Sequence, residues 1–290
     1  WAPWKKLAGA GDGAPLAARV KTLEGDLDTL GYADFLRQHT QQLLTAWAGE
    51  GSLKVHPGPE NWLFYKPELA MLNGWGPLKR PPFSVMKDPT ATRLPLARDL
   101  VLEFAQQLRE RGLPLVLVPL PVKPMLYPEK LFPGADPDQP LQHPDQAALY
   151  DELRQAGVDV LDLTPDLMLL KRRFPLFLRQ DTHWTPEAMK ESARLVAGHL
   201  LRHYPQVKNG GRAPLVDASV VDRESLGDLV ELLNLAHPRA LFAPERAELT
   251  PIQGLDPDRN AAVALLGDSF VNVYDDPTLG FGAAGGAAGP

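Results

Sequence analysis

Two short segments of this chain carry side chains that could together perform nucleophilic catalysis. The first is Gly-Asp-Ser at 267–269, which follows five apolar residues, 262–266, typical of a buried strand in a parallel sheet. A sharp turn from such a strand into a helix exposes the Ser269 hydroxyl at the carboxyl end of the sheet, where α/β sheets bind their ligands. An Asp-Ser helix cap after a core strand has the same pattern, so this segment alone leaves both interpretations open.

The second segment supplies the base that a nucleophilic serine needs. Asp181 lies two residues before His183, and residues 185–187, Thr-Pro-Glu, form a helix start. A histidine can take the serine proton, and a neighbouring aspartate fixes its tautomer and stabilises its charged form. The alternatives are a surface Asp-x-His pair and a two-ligand metal site. With Ser269 in the same chain, the pattern favours a catalytic triad of Ser269, His183 and Asp181, without a metal.

These two segments resemble the paired motifs of the SGNH-hydrolase-like domain in alginate O-acetyltransferases of the AlgJ/AlgX type. The Asp/His segment precedes the serine segment, as in the circularly permuted acetyltransferase branch and unlike ordinary SGNH hydrolases. Three further segments fit that branch: Asn-Trp-Leu-Phe-Tyr at 61–65, Val-Pro-Leu-Pro-Val-Lys at 118–123 and Gly-Asp-Leu-Val at 227–230. The resemblance covers about residues 58–290.

The apolar pattern and the resemblance predict an α/β, flavodoxin-like SGNH-hydrolase fold, in which helices flank a central parallel sheet. We expect parallel strands near 114–120, 158–163 and 262–266. Helical spacing and capping residues predict helices at about 95–111, 145–155 and 185–204.

The chain divides into three predicted parts. Residues 1–14 read as a linker or juxtamembrane stub, and 15–57 as a helical N-terminal extension with two helices broken near Gly31, packed against the domain. Residues 58–290 form the SGNH-hydrolase-like acetyltransferase domain. In the family a helix and another strand follow the serine, so the Gly/Ala-rich end of this chain suggests a truncated C-terminus.

Composition excludes several classes of function. The net charge of −6 argues against nonspecific nucleic-acid binding, which needs a basic surface. Without cysteine there are no disulfides, thiolate nucleophiles or Cys-based zinc sites. No apolar run is long enough to span a bilayer, and no glycine pattern for nucleotide binding is visible, so we expect no cofactor.

Two residues outside the triad are candidates for the oxyanion or substrate site, beside the backbone N–H of Ser269. Lys123 is the only charged residue in the proline-rich loop 119–128, which leaves a predicted strand at the same edge as Ser269. It is either a solvated lysine or a donor near the oxyanion or the acyl donor. Tyr65 is a candidate through the resemblance, although the aromatic residues around it are typical of a core.

Other polar residues are expected to have structural roles. Asp268 should accept hydrogen bonds from the backbone of its own turn, and Asp228 should cap its own short helix. His199 and His203 lie four apart, a spacing that could bind a metal, but no recognised metal motif surrounds them. We interpret them as ordinary surface histidines.

The resemblance implies a polysaccharide O-acetyltransferase that forms an acyl-serine at Ser269 and passes the acetyl group to sugar hydroxyls of a cell-envelope or exopolysaccharide. It also implies a membrane-bound O-acyltransferase as the partner that delivers the acetyl group. The expected location is periplasmic or otherwise extracytoplasmic, with a membrane anchor in the full-length protein. Two alternatives remain open: a secreted carbohydrate esterase that uses water as acceptor, and a noncatalytic polysaccharide-binding protein of the same fold.

Overall fold

The structure is a computed structural model, and it describes residues 31–79, 95–207, 215–216, 220–250, 252–253 and 261–282. Its helices are α1 (Gly31–Leu43), α2 (Lys66–Asn73), α3 (Ala97–Arg109), α4 (Lys123–Leu126), α5 (Gln146–Gln155), α6 (Thr164–Leu170), α7 (Pro186–His203), α8 (Asp228–Leu233) and α9 (Ser269–Asn272). Its strands are β1 (Val55–Pro57), β2 (Leu63–Tyr65), β3 (Val116–Leu117), β4 (Asp159–Val160), β5 (Leu215–Val216), β6 (Val221–Ser225), β7 (Glu245–Leu249) and β8 (Ile252–Gln253).

Two of the three predicted parallel strands pair with each other. Val116 lies opposite Asp159 and Leu117 opposite Val160, so β3 and β4 form a short parallel pair. Helices α3 and α5 cover it through a buried cluster of Ala105, Tyr150, Leu153, Val158 and Val160. Both strands are shorter than predicted. Prolines at 119 and 121 offer no N–H to a ladder, which limits β3 at its carboxyl end.

The prediction of a third parallel strand at 262–266 was wrong. This segment contains no strand or helix, and Leu265 and Leu266 are 61% and 78% exposed. An apolar run shows that a segment could be buried, but it cannot show that a neighbouring strand is available to pair with its backbone. Within the described residues no strand pairs with it.

The strand β2 joins two hydrophobic cores because its side chains alternate between two faces. Trp62 and Phe64 enter the larger core, as predicted, together with Leu126, Tyr127, Leu163, Leu176, Trp184 and Tyr274. Leu63 points the other way and packs with Val55 and with Leu229, Val230 and Leu233 of α8. The antiparallel pairs β1–β2 and β6–β7 border these cores.

The N-terminal helix differs from its prediction. The break expected near Gly31, and the helix expected before it, involve residues that lie outside the described part of the chain. Within α1 and the turn of π-helix that follows it, Phe35, Leu43 and Trp47 are exposed instead of packed against the domain. Gln38 of α1 donates to Asn234, Gln42 accepts the N–H of His237, and the ring of His39 lies edge-on to that of His237.

Among the described residues, no helix combines the length and the apolar character that a bilayer crossing requires.

One pair of hydrogen bonds joins the segment after Ser269 to the segment that contains His183. The fully buried Tyr274 donates its hydroxyl to the carbonyl of Trp184 at 2.6 Å, and the Trp184 indole donates to the carbonyl of Phe270 at 3.1 Å. These bonds hold the two predicted catalytic segments side by side in the larger core.

We predict that Tyr274→Phe lowers the free energy of unfolding by about 1–3 kcal/mol, because it leaves the buried Trp184 carbonyl without this donor. Urea denaturation of both proteins measures the difference. Tyr32→Phe removes a hydroxyl from a side chain that is 54% exposed and should change the stability by less than about 0.5 kcal/mol. Equal effects of the two substitutions would show that the Tyr274 hydroxyl contributes nothing specific.

Candidate active site

The segment with Asp181 and His183 is a short loop fixed at its carboxyl end by a helix cap. Thr185 accepts the N–H of Ala188 at 3.3 Å through its side chain, and Pro186 takes the first helical position of α7, as predicted. The Thr185 hydroxyl also donates to the carbonyl of Pro175 at 2.7 Å. The cap therefore holds the preceding residues in one conformation.

The structure brings the three predicted triad residues into one hydrogen-bonded row. His183 Nε2 lies 2.7 Å from Ser269 Oγ, and His183 Nδ1 lies 2.6 Å from Asp181 Oδ1. Because a carboxylate only accepts, Nδ1 carries the proton and Nε2 is free to accept the serine proton. Asp181 and His183 are buried and Ser269 is partly exposed. This is the order that a serine nucleophile, its base and the base's orienting carboxylate require.

Both carboxylate oxygens of Asp181 are used, so its direction is fixed. Oδ1 also accepts the backbone N–H of His183 at 3.0 Å, and Oδ2 accepts the backbone N–H of Asp228 at 2.9 Å. Burial alone would raise the pKa of Asp181, but its hydrogen bond to His183, the charge on His183 and these backbone donors together lower it below its ordinary value. Asp181 is therefore ionised at neutral pH.

The surroundings of His183 make its ring more basic than usual. Burial alone lowers the pKa of His183, but the hydrogen bond and the charge of Asp181, followed by the charges of Asp228 and Asp268, raise the pKa above its ordinary value. A more basic imidazole takes the serine proton more readily, which suits a general base.

Asp228 does not cap its own helix, so that prediction was wrong. Its carboxylate accepts the backbone N–H of Thr182 at 2.8 Å and also the Thr182 hydroxyl, while no side chain caps α8. Burial, and then the nearby charge of Asp181, raise the pKa of Asp228. Its role is to hold the residue between Asp181 and His183, a contact that no local pattern in the sequence indicates.

Gly227 makes the approach of Asp228 to Asp181 possible. Its φ of 81° is a left-handed conformation that favours glycine. A Cβ at this position would lie 2.3 Å from the carbonyl oxygen of Gln180. Only glycine lets the start of α8 come this close to the loop.

Ser269 opens the four-residue helix α9 beside a cleft. Asp268 accepts the N–H of Phe270 at 3.0 Å, so it serves its own turn, as predicted. The cleft has a volume of about 430 Å³ and is open to solvent; its lining includes Leu265, Leu266, Ser269, Asn272, Asp276 and Leu279. The apolar run that was predicted to be a strand thus borders the cleft.

Lys123 and Tyr65 do not occupy the positions expected of substrate-site residues. Lys123 is fully buried, and its Nζ donates to the carbonyls of Leu178, Arg179 and Asp181, which uses all three of its protons. It is neither solvated nor available to an oxyanion. Tyr65 packs against the smaller core, and among the described residues the structure gives it no hydrogen bond to the triad.

Three residues at the triad also have the spacing of possible metal ligands. Ligand atoms of Asp181, His183 and Asp228 lie within 4.8 Å of one another, a spacing that could surround an ion. Hydrogen bonds also join these atoms to one another and to the backbone of the loop. His199, expected at the surface, is instead largely buried and bonds Asp159 at 2.7 Å through Nε2, with the ring of His203 beside it.

The family model described as the SGNH hydrolase-like domain of acetyltransferase AlgX matches residues 55–283. The chain belongs to this family. Probable alginate O-acetylase AlgJ of Pseudomonas syringae pv. tomato is 28% identical over 175 residues, which are 56% of this chain and 44% of the relative. The AlgJ of Pseudomonas putida is 26% identical over 226 residues, 77% of this chain and 54% of the relative. The chain thus spans about half the length of these curated relatives.

A solved structure supports the same membership. The O-acetyltransferase domain of Pseudomonas putida AlgJ aligns with a TM-score of 0.50 and 26% identity, covering 68% of this chain and 64% of that one. The resemblance inferred from the motifs and the SGNH-hydrolase-like α/β fold are therefore confirmed, although the parallel pairing described here is limited to two short strands.

We predict that Asp181→Asn lowers the pKa of His183, because the carboxylate that raises it through a 2.6 Å hydrogen bond is replaced by a neutral amide. NMR titration of the His183 ring protons measures this pKa. Asp228→Asn removes a more distant charge and weakens the contact with Thr182, but it leaves the hydrogen bond between Asp181 and His183 in place. It should therefore lower the pKa less and reduce turnover less than Asp181→Asn. If Asp228→Asn had the larger effect, Asp181 would not be the triad carboxylate.

Proposed function

We propose that this protein is a polysaccharide O-acetyltransferase that works through an acetyl-serine at Ser269. The observation that carries the proposal is the row of two short hydrogen bonds from Asp181 through His183 to Ser269, with the serine beside an open cleft. A noncatalytic binding protein of this fold would need neither a buried Asp–His pair nor a hydroxyl aligned with it. Membership of an acetyltransferase family supports the choice of acetyl as the transferred group.

The proposed reaction has two halves with the same residues. Ser269 Oγ attacks the acetyl carbonyl while His183 Nε2 takes the hydroxyl proton, and His183 then gives this proton to the leaving group of the donor. A sugar hydroxyl next attacks the acetyl-serine, His183 takes its proton and returns it to Ser269 Oγ, and the acetylated sugar leaves. Asp181 keeps the ring in position and stabilises its charged form in both halves.

The tetrahedral intermediates need hydrogen-bond donors for the developing oxyanion. We assign the backbone N–H of Ser269 to this role, because a carbonyl attacked by Ser269 Oγ would come close to the backbone of the same residue. One such donor typically lowers the barrier by about 3 kcal/mol. Lys123 is not among the donors, since its three protons are already bound to carbonyls.

The acceptor, partner and location follow from the same proposal. Two relatives are named as probable alginate O-acetylases, which supports a polysaccharide acceptor. Acetylation of a secreted polymer takes place outside the cytoplasm, so the acetyl group must be delivered across the membrane. We therefore propose an extracytoplasmic, membrane-anchored protein that receives acetyl groups from a membrane-bound O-acyltransferase. No cofactor is required by these steps.

We predict that the protein turns over a simple activated acetyl ester and that Ser269→Ala reduces kcat by roughly three orders of magnitude or more. The release of the leaving group measures the rate. Ser192→Ala is the matched control: its buried hydroxyl has no hydrogen-bond partner among the described residues, and the variant should keep the activity.

The same assay shows whether the acetyl group is transferred to a sugar or to water. With sugar oligomers present, mass spectrometry should detect acetylated oligomers, whereas acetate alone would identify the esterase alternative. Because the proposed acetyl donor is a membrane-bound partner, the rate with acetyl-CoA should not saturate as its concentration rises. Full activity in Ser269→Ala would refute both enzymatic functions.

We further predict an acidic limb in the pH profile of kcat/KM. His183 must be neutral to accept a proton, and its pKa is raised, so activity should decline as the pH falls through a midpoint above the ordinary value of 6.5. Since the raised pKa depends on Asp181, the midpoint should move to lower pH in Asp181→Asn, together with a lower maximum rate. A midpoint that stayed in place would assign the limb to another group.

A further inference from the structure

The backbone of residues 178–182 is surrounded by charged side chains from distant parts of the chain. Lys123 donates to three of its carbonyls, Glu245 accepts two of its N–H groups and Asp228 accepts a third. These residues come from α4, β7 and α8, and none of them belongs to the triad. A loop buried at an active site has backbone groups that must find partners, and here ionised side chains provide many of them.

Lys123 is the cation in this arrangement. Its Nζ lies 2.7 Å from the carbonyl of Asp181 and 3.0 Å from those of Leu178 and Arg179. The rings of Trp62 and Phe64 lie 5.8 and 5.6 Å from the ammonium, so cation–π attraction adds to these hydrogen bonds. Burying an ammonium group is unfavourable unless every proton is bonded, and here every one is bonded to the same loop.

Glu245 is the matching anion. One carboxylate oxygen accepts the N–H of Arg179 at 2.9 Å, and the other accepts the N–H of Gln180 at 2.7 Å. The carbonyl of Arg179 is bonded by Lys123, so opposite charges hold both sides of this stretch of backbone. The next residue, Asp181, then directs its carboxylate to His183.

We propose that Lys123 and Glu245 are positioning residues for the reaction: together they hold the backbone at 178–181 so that Asp181 meets His183 at hydrogen-bond distance. Among the described residues, neither side chain forms a hydrogen bond with Ser269. The kinetic consequence rests on the proposed function, but the geometric consequence can be measured without it.

Among the described residues, the charges that act on Lys123 are acidic. They are Glu68 from α2, Asp181 from the loop, Asp228 from α8 and Glu245 from β7, and each of these charges raises the pKa of Lys123. Burial lowers this pKa by more, so the pKa of Lys123 is about 8, below its ordinary value. Burial likewise raises the pKa of Glu68 to about 7. Above about pH 8 the neutral amine has two protons for three carbonyls, so the loop loses one of its bonds.

The main experiment compares Lys123→Met with Lys171→Met. Lys171 is also largely buried and donates to one carbonyl, that of Pro137, and to Glu129, but it does not contact the triad loop. Lys123→Met should lower kcat for the acetyl ester at least tenfold with little change in KM, whereas Lys171→Met should keep both. Activity should fall above about pH 8 in the parent and in Lys171→Met, because both retain Lys123. Lys123→Met should show no such fall.

A second measurement needs no activity. The Nδ1 proton of His183, held between the ring and Asp181, should give a far-downfield NMR signal in the parent and in Lys171→Met. In Lys123→Met this signal should shift upfield or disappear through exchange with water. If the signal is unchanged, Lys123 does not position Asp181, and the proposal is overturned.

Glu245→Gln tests the other charge and remains decisive if Lys123→Met does not fold. A glutamine oxygen can accept one of the two N–H groups, but its amide nitrogen cannot accept the other. We expect a several-fold loss in kcat and the same change in the Nδ1 signal. Glu248→Gln, on the same strand with its side chain exposed, should have neither effect.

The outcomes separate the two proposals. An inactive parent protein with a downfield Nδ1 signal that Lys123→Met and Glu245→Gln both weaken would reject the proposed function and keep the positioning role. Suppose instead that the parent is active, and that kcat and the Nδ1 signal are the same in Lys123→Met and Glu245→Gln as in their control variants. The proposed function would then be kept and the positioning role rejected.

Discussion

The buried carboxylate of Asp181 is the group on which the rest of this site depends. An ionised carboxylate is stable in a protein interior only where hydrogen bonds and an opposite charge replace the water it has lost. Here two backbone N–H groups and the imidazole of His183 do so. The hydrogen bonds of this one carboxylate fix the position of the imidazole, and the imidazole is in turn hydrogen-bonded to Ser269. The loop around it is arranged for that purpose.

The hydrogen-bond partners of this loop come from segments that are far apart in the chain. Each of these segments contributes a short helix or strand at the site. The helix α8 brings an N–H to Asp181 and a carboxylate to Thr182, while β2 bonds the carbonyl of Arg179 through the N–H of Leu63. The serine segment is attached separately, through Trp184 and Tyr274 in the larger core. Hydrogen bonds from charged side chains thus orient the base, and two hydrogen bonds within the larger core hold the nucleophile's segment beside it.

The triad could be predicted from the sequence because its three residues lie in two short local patterns, Asp-x-His and Gly-Asp-Ser. The helix cap at Thr185 fixes the conformation of the first pattern. The roles of Lys123, Glu245 and Asp228 could not, because each depends on a contact with residues 46 or more positions away. Lys123 looked like a loop lysine, since burial is not visible in a proline-rich segment. The apolar run at 262–266 was misread for a related reason: hydrophobicity does not reveal whether a pairing strand exists.

Gly227 shows where this site tolerates the least change. Its left-handed backbone and the contact with the Gln180 carbonyl leave no volume for even a methyl group. Any side chain there would push α8 away from the loop and withdraw the N–H of Asp228 from Asp181. Among homologues, therefore, variation at this position should be as restricted as at the nucleophile itself, although glycine contributes no functional group. In this domain, substitutions are restricted by the space that the site requires as well as by the side chains that react.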